Sequence, residues 1–135
     1  RRCGGSWNGP HVDDIPFRHV VDLMLEIRAQ AYSFEAVNVR HEHEWKLWKT
    51  RKLPAGKILI PGIITHHTTT VEHPKLVCER IVDYANAIGK ENFIAGTDCG
   101  FAQGEAVQRV HPQVMWAKFE RLAEGAKLAS KELWG

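Results

Sequence analysis

The alternation of apolar and polar positions along this chain changes period several times, and each change marks an element. After a Gly- and Pro-rich opening, RRCGGSWNGPHV, the residues Ile15, Val20, Leu23, Met24 and Ile27 recur at helical spacing. They predict a helix to about Gln30, with Asp14 as its N-cap and Pro16 in its first turn. The stretch AYSFEAVN (31–38) is short and rich in β-formers, with Glu35 embedded in it. HEHEWKLWK (41–49) reads as a short polar helix that ends at Leu53-Pro54-Ala55-Gly56. KILIPGII (57–64) is almost wholly apolar, the pattern of a strand covered on both faces of a parallel sheet. A polar loop, THHTTTVEH, follows. Pro74 then opens a helix whose apolar positions are Val77, Ile81, Val82, Ala85 and Ile88, with Gly89 placed as a C′ glycine. NFIAG (92–96) is a further short strand that runs into Thr97-Asp98-Cys99-Gly100. Pro112 starts a long helix to about Leu133, with Met115, Phe119, Leu122, Ala126 and Ala129 inward.

Three β-then-α units in succession imply an α/β protein with parallel strands joined by right-handed crossovers. A doubly wound nucleotide binder would carry a Gly-rich phosphate loop after a strand, and neither GxGxxG nor GxxxxGK[ST] is present. The remaining architecture is the C-terminal part of a (β/α)8 TIM barrel: about three βα units plus the end of a fourth strand, with 1–135 as a single partial barrel domain. A whole barrel takes about 250 residues. Unpaired strands at both sheet edges predict self-association, or cover from the remainder of a barrel. The chain begins at Arg1 rather than Met, so the start of the gene product is expected upstream.

Composition narrows the function classes. Among 135 residues, 18 basic and 16 acidic side chains leave a net charge of +2, which gives no reason to expect nucleic acid or an anionic membrane as partner. No apolar run approaches the roughly 18 residues of a membrane span. Three cysteines, at positions 3, 78 and 99, are an odd number at long spacings, which argues for a reducing, cytoplasmic setting.

The polar residues are gathered rather than scattered. Glu35 ends one predicted strand, His66 and His67 follow the next, and Asp98 and Cys99 follow the third. Parallel strands place those ends on one side of the sheet, where active sites are built. Cys3 joins them if Arg1 and Arg2 end an upstream strand. Two thiols, a carboxylate and an imidazole are a ligand set for zinc; magnesium and calcium call for oxygen. A plainer reading makes Cys3 and Cys99 loop thiols and Glu35 a helix cap or the partner of an arginine. His41 and His43 stand two apart on a helix, hence on different faces, and fit a solvated or substrate-lining segment better than a metal motif. Cys78 is placed as a buried structural thiol, and His11 as a substrate contact or a cap. Trp45, Trp48, Trp116 and Trp134 are expected to pack between helices and sheet.

The segments CGGSWNGPHVDDIP, SFEAVNVRHEHEW, KILIPGIITHHTTTVEHP and FIAGTDCGF, in that order, resemble the cobalamin-independent methionine synthase superfamily. The likeness is strongest to its shorter members, which include the epoxyalkane:coenzyme M transferases. That resemblance implies a zinc-bearing barrel in which Cys3, Glu35 and Cys99 hold the metal. The fourth ligand of the family, the His of His-x-Cys, falls at Arg1, and a guanidinium has no lone pair for zinc. It further implies methyl or alkyl transfer to a small-molecule thiol from an alkyl donor, a methyltetrahydrofolate or an epoxide. His67 or His66 would serve as general acid to the leaving atom, and Asp98 and His11 would line the substrate. Two alternatives remain open: a degenerate, metal-free barrel fragment, and a metal-free barrel of the uroporphyrinogen decarboxylase kind.

Overall fold

The computed structural model describes residues 14–102 and 110–135. Its centre is a three-stranded parallel sheet in which β2 (Ile58–Ile64) lies between β1 (Ala31–Phe34) and β3 (Gly96–Thr97). The register pairs Ala31 with Ile58 and Phe34 with Pro61 on one side, and Gly62 with Gly96 and Ile64 with Thr97 on the other. β2 takes the middle because both its faces are apolar: Leu59, Ile63 and Ile64 have no exposed surface. The third strand is shorter than the NFIAG pattern predicts. Phe93 only bridges to Leu59, and regular pairing starts at Gly96.

Two long helices cover the sheet, α2 (Pro74–Ile88) and α3 (Pro112–Trp134), close to their expected bounds. Each starts with the same dipeptide, His-Pro. The imidazole of His73 accepts the backbone N–H of Lys75, and that of His111 accepts the N–H of Gln113, both at 3.2 Å. Proline at the next position lacks an N–H that the first helical turn would leave without a partner. Gly89, at φ 91°, ends α2 in a conformation that disfavours other residues. The two helices meet at Gly125, where a Cβ would lie 2.4 Å from Val77 Cγ1. Only glycine allows the backbones to approach so closely.

The N-terminal helix departs from expectation. Instead of one helix from Asp14 to Gln30, a 3-10 turn over Phe17–His19 precedes a six-residue α1 (Val21–Glu26). The N-cap positions are Pro16 and Val20 rather than Asp14, whose carboxylate pairs with Arg40. Ile15, Leu23 and Ile27 point outward, while Phe17 and Val21 enter the core, so the true inward face is rotated from the predicted one. The reason is aromatic packing: Phe17 stacks on Phe34 at 4.8 Å between ring centroids and abuts Trp48 at 6.1 Å.

HEHEWKLWK does coil, but as a 3-10 helix over Glu42–Lys49. Trp48 is buried as expected, whereas Trp116 and Trp134 are mostly exposed, and Lys90 Nζ sits 3.9 Å from the Trp134 ring centroid. No helix among the described residues is long and apolar enough to cross a membrane.

Candidate metal centre

Each strand of the sheet delivers, just past its C-terminal end, one residue of a type that can ligate a metal. Glu35 follows directly on β1, His66 lies two residues beyond β2, and Cys99 two beyond β3. A carboxylate oxygen of Glu35, a ring nitrogen of His66 and Sγ of Cys99 all lie within 4.8 Å of one another. Glu35 and His66 are buried, and Cys99 is partly so. Residues separated by up to 64 positions thus meet at one point because parallel strands send their C-terminal ends to the same side.

The donor set suits zinc in kind, since nitrogen, sulfur and carboxylate oxygen together match its borderline softness. In size it is slightly open. Tetrahedral zinc with bonds of about 2.0–2.3 Å keeps ligand atoms about 3.3–3.8 Å apart, so closure on an ion asks for about an ångström of side-chain movement. Of the residues expected at the metal, Glu35 and Cys99 converge. His66, one of two candidates for proton transfer, joins them in the cluster. His67 turns outward, its ring edge-on to His66 with centroids 4.9 Å apart. Cys3, His11 and Arg1 lie outside the described residues.

Asp98, expected to line the substrate, is held by backbone groups. It has no exposed surface, and its carboxylate reaches back to the segment after β1. Oδ1 accepts the N–H groups of Ala36 (2.7 Å) and Val37 (3.1 Å), and Oδ2 accepts the N–H (2.9 Å) and side-chain amide (3.3 Å) of Asn38. Burial pushes this carboxyl up from its ordinary range; the N–H donors of Ala36 and Val37 pull it down, and the nearby Glu35 carboxylate adds to the rise. Gly62 makes the reach possible, because a Cβ there would fall 2.1 Å from Asp98 Oδ1. One carboxylate therefore fixes the loop that carries Glu35 relative to the turn that carries Cys99.

Around this clasp lies a second polar layer. Asn38 Nδ2 donates to Glu35 Oε2 at 3.4 Å, and Arg40 Nη2 lies 3.8 Å from the same oxygen. Arg40 also pairs with Asp14. His41, expected to be solvated or to line substrate, is instead buried, its Nδ1 2.9 Å from Glu44 Oε2 and its Nε2 3.6 Å from Asp14 Oδ2. Glu44 Oε1 in turn accepts the N–H of Phe17, which joins the polar layer to the aromatic core. The structure adds Gly62 to the residues that shape the site, and it pairs Lys118 with Glu72 at 2.8 Å. For Lys118 a signal existed: it falls in step with the inward stripe Leu122, Gly125 and Ala129 of α3, where a cation is out of place.

This architecture has a counterpart among solved structures. The chain superposes with a TM-score of 0.71, over 87% of its own length, on a B12-independent methionine synthase from Shewanella sp. W3-18-1 solved in complex with selenomethionine, with 22% sequence identity. It shares the fold of part of a methionine synthase. The matched region is 31% of that longer chain, so the likeness is to a fragment of its fold. No protein-family model and no curated protein sequence matches the chain at a significant level.

Proposed function

We propose that this chain carries the metal-binding part of a zinc-dependent enzyme that transfers a methyl or alkyl group to a thiol. The observation that carries the reading is the convergence of Glu35, His66 and Cys99 at three parallel strand ends, in a fold shared with a methionine synthase. Glu35, His66 and Cys99 would hold the ion, with Cys3 as the further donor. When bound, zinc supplies a Lewis acid at which a substrate thiol ionises near neutral pH.

The protein's own groups do the rest. Asp98 and Asn38 keep the Glu35 carboxylate in place, and burial of Glu35 and His66 keeps water away from their side of the site. His67, outside the cluster but against the ring of His66, would give a proton to the atom that leaves the alkyl carbon. The substrates in this reading are a small-molecule thiol and an alkyl donor, the setting is the reducing cytoplasm, and the chain acts as a partial barrel that associates with itself or with the remainder of a barrel.

Metal analysis of the purified chain, prepared under reducing conditions with added zinc, tests the proposal. Near-stoichiometric zinc, lost in Cys99→Ser and reduced in Glu35→Gln and His66→Gln, is the expected result. Absence of zinc from the unaltered chain would overturn it in favour of a metal-free fragment.

A further inference from the structure

Lys118 is the one buried lysine among the described residues, in the inward stripe of a helix whose other buried positions are Gly125 and Ala129. Its ammonium donates to Thr65 Oγ1 (3.2 Å), to the carbonyl of Thr70 (2.5 Å) and to Glu72 Oε2 (2.8 Å). The other oxygen of Glu72 accepts the N–H and the hydroxyl of Thr65, at 2.8 and 3.1 Å, and the hydroxyls of Thr65 and Thr68 lie 2.9 Å apart. The loop between β2 and α2 is thus wrapped around one cation supplied by α3, and every anchoring contact falls on residues that flank His66 and His67.

Stability alone does not account for such a pair. Desolvating two ions offsets most of their attraction, and well-packed apolar residues of similar volume often serve a fold as well or better. What a fully hydrogen-bonded buried pair adds is a single loop conformation, and this loop carries the imidazole of the proposed metal centre. We infer that Lys118 and Glu72 are positioning residues, which set the 65–72 loop so that His66 meets Glu35 and Cys99. The inference rests on the metal-binding reading above. It extends that reading to α3, an element that gives the cluster no ligand.

The test is cobalt(II) and zinc binding by the full chain, with affinity read by competition against a chromophoric chelator and the ligand set read from the cobalt absorption bands. Thr65→Val removes only the hydroxyl, and the double variant Lys118→Met, Glu72→Gln removes both charges without leaving either ion alone. Val82→Ala, which weakens the core away from this loop, serves as control. In both loop variants affinity should fall roughly 10–100-fold, the range for lost outer support of a metal ligand, and the cobalt bands should shift. The control should bind like the unaltered chain even where its Tm falls as far. Loop variants with unchanged affinity and bands would overturn the positioning role alone. No cobalt binding by the unaltered chain would overturn the metal reading and this inference together.

Discussion

The two ends of the described chain treat their apolar stripes in opposite ways. α2 and α3 face each other: Val77, Ile81, Ala85 and Ala129 are buried, and the contact is tight enough that Gly125 admits no side chain. Around α1, by contrast, Ile15, Leu23 and Ile27 stay 59–64% exposed, and Ile15 and Ile27, with Val20 and Met24, border a groove that runs on to Ala31 and Tyr32 of β1, an edge strand among the described residues. The periodicity is equally regular in both regions. An amphipathic pattern states which residues tend to lie on one face, while the presence of a covering element decides whether that face is a core.

Filling the seam between α2 and α3 should give the largest effect. Gly125→Val places branched carbons against Val77 and the Pro74 carbonyl, and should destabilise the chain by about 3 kcal/mol, the upper part of the range for overpacked cores. Urea unfolding measures this; a loss below about 1 kcal/mol would mean that the helices separate easily and the contact is not tight in solution.

A smaller effect comes from pH at the same seam. Burial, and then Glu132 on α3, push the Cys78 thiol up from its ordinary value of 9.0. Below that value both folded and unfolded thiols are protonated, so Cys78 contributes no pH dependence. As pH rises past it, the unfolded thiol loses a proton that the folded one keeps, and stability falls. Urea midpoints between pH 8 and pH 10 should therefore fall more in the unaltered chain than in Cys78→Ala. The difference isolates Cys78 from Tyr84, whose phenol burial also pushes up. Equal slopes would contradict the assignment.

The smallest effect should be at α1, where Leu23→Ser and Ile27→Ser should each change stability by less than about 0.5 kcal/mol, as exposed positions do. A loss above about 1 kcal/mol in the same urea measurement would show that this face is covered in solution.

Much of the fold was legible because it rests on strong local signals. The almost wholly apolar KILIPGII and the two His-Pro helix starts mark β2, α2 and α3 with little ambiguity. The short α1 was not, because the aromatic contacts of Phe17 with Phe34 and Trp48 outweigh the periodicity that suggested a longer helix. Glu35 and Cys99 could be singled out because parallel topology sends strand ends to one side. Which of two adjacent histidines turns inward could not, since it depends on a loop held by Lys118, 52 residues away from His66. The burial of His41 escaped for a related reason: Asp14, which closes over its ring opposite Glu44, lies 27 positions away in the chain.

The clasp made by Asp98 has a consequence for the order of assembly. The segment 36–38 and the carboxylate that holds it are separated by 60 or more positions, a loop whose closure is costly until the sheet has formed. During synthesis Glu35 emerges long before its clasp, and β1 and β2 are complete before residue 98 exists. The Glu35 carboxylate is therefore set in place only when β3 arrives with Cys99 beside it. On the proposed metal reading, a nascent chain stopped short of β3 would offer an ion neither Cys99 nor an ordered Glu35, so competence to bind metal at this site would come last and report that the sheet is finished.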